Sequence, residues 1–125
     1  MERVVGIGGI FFKARAPKSL AAWYRETLGL PIQTDQVYGS FKSEEPGEET
    51  VWSTFPPDTE YFGAGSVSCM VNYRVRNLDA MLAQLRAAGA VVDERVEEYD
   101  NGRFGWATDP EGNRFELWEP KRTEL

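Results

Sequence analysis

Histidine is missing from the sequence altogether. With it go the commonest general base and the commonest transition-metal ligand, so no Ser-His-Asp or Cys-His nucleophile can be assembled. Any metal ion would have to be held by carboxylates, amides, backbone carbonyls, water or a single thiol. Cysteine is almost missing too: Cys69 stands alone, which excludes an intrachain disulfide and suits a reducing compartment. No apolar run approaches the ~20 residues that cross a bilayer. The opening MERVVGIGG lacks the apolar core of a secretion signal, so a cytoplasmic protein is expected. Basic residues are outnumbered, 14 Lys and Arg against 20 Asp and Glu, for a formal net charge of −6. That balance argues against nucleic acid or an anionic membrane as partner and leaves neutral or cationic small molecules open.

What is present is one domain's worth of chain, 125 residues rich in aromatics, enough for a core without staples. The stretch from Asn101 to Pro120, NGRFGWATDPEGNRFELWEP, reads as a hairpin. Strands Arg103–Thr108 and Arg114–Trp118 flank Asp109-Pro110-Glu111-Gly112-Asn113, where Pro presets φ and Gly permits a positive one. A period of two puts Arg114, Glu116 and Trp118 on one face and Phe115 and Leu117 on the other. The apolar pair belongs to a core, so Glu116 points away from that core between a cation and an indole. An exposed strand glutamate is the plain alternative for it.

Residues 4–14, VVGIGGIFFKA, read as a strand loosened by Gly6, Gly8 and Gly9. The glycines lack the spacing of a dinucleotide fingerprint and mark a bulge or a close backbone approach. A helix begins at Pro17 and stops before Gly29, with Leu20, Trp23, Tyr24, Thr27 and Leu28 as its buried stripe. The stripe is expected to cover Ile10 and Phe12, with Trp23 and Tyr24 in the core. Strands are then expected at Leu30–Thr34, Tyr38–Phe41 and Thr50–Phe55, the last two separated by the acidic loop SEEPGEE. Thr50, Trp52 and Thr54 share a face of the third. After the connector Phe62-Gly63-Ala64-Gly65 the pattern restarts with VSCMVNYRV: Cys69, Val71, Tyr73 and Val75 on one face, Met70, Asn72 and Arg74 on the other. Asn77 caps a second helix with Leu78, Met81, Leu82 and Leu85 as its stripe and Gly89 as its stop. Ala90–Glu94 and Val96–Tyr99 read as one strand before the hairpin.

A strand, a helix ending in glycine and three strands are thus written twice, with Gly29 and Gly89 in corresponding places 60 positions apart (89 − 29). The segments GIFFKARAPKSLAAWYRETLGLPI, YRVRNLDAMLAQLRAAGA and FGWATDPEGNRFELWEP resemble the vicinal oxygen chelate superfamily, which includes glyoxalase I, bleomycin-resistance proteins and extradiol dioxygenases. The resemblance spans nearly the whole chain, and DPEGN followed by FEL is its most specific part. It implies an α+β fold in one domain, residues 1–125, of two βαβββ modules at about 4–57 and 66–120, forming an open curled mixed sheet around a cavity. It also implies a homodimer.

If helices cover the Ile10/Phe12 and Val71/Tyr73 faces, then Phe11, Lys13, Met70, Asn72, Arg74, Arg114, Glu116 and Trp118 look into the cavity, joined by Thr50, Trp52 and Thr54. Cys69 lies on the helix side as a buried small hydrophobe. Metal-dependent members of the superfamily hold one divalent ion with a His, Gln or Glu from the first strand of each module and a carboxylate from the last. Carried onto this chain, those positions fall on Gly9, on Met70 or Cys69, on Glu116, and on Thr50 or Trp52. Only Glu116 is a ligand, so no metal or other cofactor is expected, a divalent metal being the disfavoured option.

Three functions are open. The first is metal-free binding of a small planar or hydrophobic molecule between Phe11, Trp52, Trp118 and Trp106, with Met70, Asn72 and Arg114 as further contacts. The second is a metal-free isomerase or lyase with Glu116 as general acid or base and Lys13 or Arg74 stabilising a developing oxyanion. Its plain counterpart is an ion-pair network of Arg74, Arg114 and Glu116. The third is a glyoxalase or dioxygenase with an unconventional metal site. The register of the hairpin, which decides whether Gly105 or Trp106 stands beside Glu116, is open as well.

Overall fold

The computed structural model describes residues 1–42, 48–63 and 67–121. Most of the acidic loop and the end of the Phe62–Gly65 connector lie outside the described residues. The elements are β1 (Val4–Lys13), α1 (Pro17–Leu28), β2 (Tyr38–Lys42), β3 (Glu49–Phe55), β4 (Cys69–Val75), α2 (Leu78–Ala87), β5 (Val91–Val92), β6 (Glu97–Tyr99), β7 (Gly102–Thr108) and β8 (Arg114–Pro120). The strands follow the hydrogen-bonded order β2-β3-β1-β4-β8-β7-β5, with β6 on β7, giving a mixed sheet of eight strands that does not close. Neither helix is long and apolar enough to cross a membrane. By compaction the chain divides into two units, Gly9–Met70 and Met1–Gly8 with Val71–Leu125, a boundary that runs through β1 and β4.

In the Gly9–Met70 unit, α1 begins with Pro at its first turn and ends on Gly29 in the left-handed region, φ 70°. Its buried face is centred on Ala21, which is fully enclosed and packs with Ile32 and Trp52, flanked by Phe12, Tyr24 and Leu30. Trp23 is 51% exposed and Leu28 61% exposed, so the expected stripe is corrected: the helix is rolled toward Ala21. A small residue there lets the helix approach the sheet closely enough for the large Trp52 to fill the space. The strand expected at Leu30–Thr34 shrinks to one bridge, Ile32 to Gly39. There the two chains pass so closely that a Cβ on Gly39 would sit 2.3 Å from the Pro31 carbonyl oxygen.

In the other unit, Asn77 caps α2 by accepting from the Ala80 amide, and Glu119 of β8 accepts from the Leu78 amide at 2.8 Å. Arg103 of β7 grips Asp79 through two hydrogen bonds of 2.9 and 3.2 Å. Under this start, Leu78, Met81 and Leu82 close over Val75 and Leu117, with Tyr73, Leu85, Val92, Val96 and Phe115 at the margin. The long strand expected after α2 is broken. Val92 pairs with Ala107 and Glu97 with Phe104, so the four residues Asp93–Val96 stand opposite only Gly105 and Trp106. The extra residues form a bulge, which re-aims side chains beside β7. Cys69 is partly exposed rather than buried, and its burial is enough to push the thiol above its ordinary value.

Candidate functional site

The hairpin sets the site. Asp109 Oδ1 accepts from the amides of Glu111 and Asn113, and Gly112 supplies the positive φ of 89°, so the turn is built by local chemistry. Its register pairs Trp106 with Glu116, Phe104 with Trp118 and Thr108 with Arg114. Paired residues share a face, so Trp106 stands beside Glu116. Gly105 lies on the opposite face, where a Cβ would meet Leu82. On the other side of β8, Asn72 pairs with Glu116 and Arg74 with Trp118.

Two rows of side chains therefore cross this face of the unit. The first holds Asn72, Glu116 and Trp106. Glu116 is 1% exposed, far from the solvated strand glutamate that its pattern also allowed. Asn72 Nδ2 donates to Glu116 Oε1 at 2.5 Å and Trp106 Nε1 donates to Oε2 at 2.9 Å. Each carboxylate oxygen thus accepts from a neutral N–H group, the way a buried charge is made tolerable. The second row holds Arg74, Trp118 and Phe104, the two rings parallel within 3° at a centroid separation of 6.0 Å. Trp118 Nε1 donates to the Asn101 carbonyl at 2.9 Å, which fixes the indole, and Arg74 Nη1 donates to the Ile7 carbonyl at 2.8 Å.

Gly6 and Gly8 of β1 complete the arrangement through what they lack. A Cβ on Gly8 would lie 2.2 Å from Asn72 Oδ1 and 2.8 Å from Trp118 Cε3, and one on Gly6 would lie 2.2 Å from Arg74 Nη2. The glycines are the close backbone approach anticipated for them: Asn72 and Arg74 lie across β1 where side chains would otherwise stand.

Arg114 is used elsewhere than in the expected network with Glu116. Its Nη1 pairs with Asp93 Oδ2 at 2.8 Å and its guanidinium lies 5.5 Å from the Trp106 ring centroid. Arg95, carried by the bulge, lies 5.4 Å from the same centroid. Trp106 is 1% exposed, with its N–H spent on Glu116, so it serves the carboxylate and offers no open wall to a ligand. At the neighbouring edge Tyr99 donates its hydroxyl to Glu97, which pushes the phenol above its ordinary value, with desolvation and then the charges of Glu97 and Glu116 adding.

The remaining candidates belong to the Gly9–Met70 unit. Phe11 packs on Phe55 and Tyr61, Lys13 Nζ rests 5.6 Å from the Phe62 ring centroid, and Met70 is buried. Trp52 is a correction. The parallel register pairs Ile10 with Trp52 and Phe12 with Thr54, so Trp52 is on the face that α1 covers, its ring 4.8 Å from that of Tyr24. Thr54 follows it, its hydroxyl placed to donate to the carbonyls of Pro17 at 3.2 Å and Val37 at 3.1 Å. The face bearing Phe11 and Lys13 instead receives Ser53 and Phe55, and Tyr61 stacks on Phe55 at 5.3 Å. The parity of β3 carried this signal, but no single strand reveals which of its faces a neighbouring helix will take.

The residues around Glu116 do not suit a divalent ion. The residue in register with it is Asn72, in place of the expected Met70 or Cys69, and that amide turns its nitrogen, a donor, to the carboxylate. The second oxygen faces another donor, and the neighbouring position on β1 is a glycine whose side-chain space Asn72 fills. Among the described residues no three Cys, Asp or Glu side chains converge as metal ligands would.

A family model for the glyoxalase-like domain matches residues 9–118. No match was found among curated proteins. Among solved structures, a methylmalonyl-CoA epimerase variant from Streptomyces coelicolor, in complex with 2-nitronate-propionyl-CoA, is 15% identical with a TM-score of 0.73, covering 98% of this chain and 99% of that one. Methylmalonyl-CoA epimerase from Mycobacterium tuberculosis is 21% identical with a TM-score of 0.65, covering 95% and 90%. A structure described as an NAD-dependent benzaldehyde dehydrogenase from Legionella pneumophila is 14% identical with a TM-score of 0.62, covering 90% and 98%. At these identities the likeness is one of fold.

Proposed function

The chain belongs to the glyoxalase-like domain family of the vicinal oxygen chelate superfamily, and from that premise we propose that it binds a small planar or hydrophobic molecule without a metal. One observation carries the reading: Glu116 is buried with a neutral donor on each oxygen, Asn72 on one side and Trp106 on the other. Held this way it is a fixed acceptor, suited to an N–H or cationic group of a ligand that opens the cover over Trp118, itself 6% exposed, and lays its ring there. The net charge of −6 favours the same class of ligand.

Ethidium, a planar aromatic cation, is a direct probe of this reading. It is expected to raise the melting temperature of the full chain, and Glu116→Gln is expected to weaken its binding by about tenfold, the equivalent of ~1.4 kcal/mol. A wild-type protein that ignores ethidium while a planar anion such as 8-anilinonaphthalene-1-sulfonate stabilises it would reverse the assignment of charge. Binding unchanged in Glu116→Gln would remove Glu116 from the site.

The second reading makes Glu116 a general base or acid that moves a proton beside a carbonyl, with Arg74 on the developing oxyanion. The epimerases of like fold act on methylmalonyl-CoA, and epimerisation is chemistry of that type. Methylmalonyl-CoA in deuterium oxide tests it. Exchange of the proton between the carboxylate and thioester carbonyls, lost in Glu116→Gln while ligand binding persists, would favour the enzyme; an unexchanged proton favours the binder.

A further inference from the structure

We infer that Gly8 is a positioning residue for Glu116, one that admits the Asn72 amide to the place beside the carboxylate where another residue would project its own side chain. The inference rests on the reading of Glu116 as the anchor of the site.

The geometry is tight at both ends of the amide. Nδ2 is committed to Glu116 Oε1 at 2.5 Å, so Oδ1 must turn the other way, toward β1. It lands where the Cβ of residue 8 would be, 2.2 Å from that ideal position, a separation no real pair of atoms sustains. Asn72 is 2% exposed, and Oδ1 accepts no hydrogen bond there. A buried acceptor without a donor is unfavourable. The amide nevertheless keeps this pose, because turning it over would set its oxygen against the carboxylate.

The other neighbours leave no escape. A Cβ on Gly8 would also stand 2.8 Å from Trp118 Cε3 and 3.1 Å from Arg74 Cγ. Trp118 cannot retreat without losing its hydrogen bond to Asn101. Gly6 differs: there the obstructing atoms are the guanidinium end of Arg74, whose displacement costs its hydrogen bond to the Ile7 carbonyl, and none of them belongs to Asn72. Any residue larger than glycine at position 8 therefore has to displace Asn72, and with it the donor on Oε1. Glycine weakens a strand interior, so its presence here needs a compensating gain, and room for Asn72 is that gain.

A double-mutant cycle over Gly8→Ala and Asn72→Ala separates this role from simple damage to a strand. Two readouts are taken on the full chain: the ethidium dissociation constant, and the position of the Trp106 indole N–H resonance, which senses Glu116 from its other oxygen. The expected result is that Gly8→Ala and Asn72→Ala each weaken ethidium by about tenfold and move the resonance alike. The double variant then does no worse than Asn72→Ala alone. Additive losses, or an unmoved resonance in folded Gly8→Ala, would overturn the inference. If Gly8→Ala fails to fold, recovery of the fold in the double variant supports it and continued failure refutes it. If the wild type binds no ethidium, the binding reading falls, while the resonance still decides the role of Gly8.

Discussion

Asn72 and Glu116 stand opposite each other on parallel strands β4 and β8, the amide nitrogen of one 2.5 Å from the carboxylate oxygen of the other. Neither residue is more than 2% exposed. With the Trp106 indole on the far oxygen, the three side chains make a line across the sheet: amide, carboxylate, indole.

Replacing Glu116 with Gln keeps the shape and reverses half of the hydrogen bonding. The new NH₂ group must face either the Asn72 amide nitrogen or the Trp106 indole nitrogen, so one buried donor loses its acceptor. The expected cost is about 1–3 kcal/mol of unfolding free energy, read from urea denaturation. Trp106→Phe removes the other donor and leaves a space where the larger ring was, with an expected cost of about 3 kcal/mol. A loss below ~0.5 kcal/mol in both variants, the level of an ordinary surface change, would contradict the described contacts.

Metal content is a direct check on the donor set. Protein purified without chelators is expected to carry less than stoichiometric zinc, iron, nickel or manganese by elemental analysis. Dialysis against EDTA is expected to leave the melting temperature unchanged. An ion at one per chain, or a fall in melting temperature on chelation, would mean that the donors around Glu116 rearrange to admit it.

Asp79 gives the pH dependence a defined sign. The hydrogen bond from Arg103 lowers its carboxyl below the ordinary 3.8, with desolvation opposing and the Arg103 charge assisting. A carboxyl lowered on folding adds stability above its unfolded value, and the contribution disappears as pH falls through the folded one. Asp79→Asn is therefore expected to be less stable than wild type at neutral pH and to converge with it below pH 3.8. Because the pair is solvent-exposed, the gap at neutral pH is expected to narrow in 1 M salt, where the Debye length is about 3 Å. A difference that persisted at low pH would assign the effect to helix capping instead of charge.

Cys69 is expected to be a slow thiol. Burial raises it above the ordinary 9.0, which leaves little thiolate at neutral pH. Labelling by a disulfide reagent at pH 7 is expected to be slower than that of a free cysteine and to speed up when the protein unfolds. Labelling at the free-thiol rate would place Cys69 in a more open setting.

The parts readable from the chain were those governed by near neighbours. The DPEGN turn, the Pro17 start and Gly29 stop of α1, and the Asn77 cap of α2 are all local, and each appears where its residues dictate. That Glu116 shares a face with Asn72 followed from Phe115 and Leu117 on one strand, and Val71 and Tyr73 on the other, needing the opposite face. Trp52 went to the wrong face because its side is decided by the parallel pairing with β1, between residues some forty positions apart in sequence. The bulge at Asp93–Val96 escaped for a similar reason, since its register is imposed by β7. The space beside Gly8 had a visible symptom, glycine in an otherwise strong strand, but its occupant belongs to β4 and only assembly reveals it.

Glu119 holds the first amide of α2 three residues past Glu116, and Arg103 on the hairpin's other arm holds Asp79 next door. The helix start is thereby riveted to both arms of the hairpin, so fraying at one is carried to the other. Amide hydrogens from Leu78 through Leu82 and those of β7 and β8 will exchange as a single slow block, and a molecule that stiffens Glu116 will announce itself at the head of the helix, on the reverse side of the sheet.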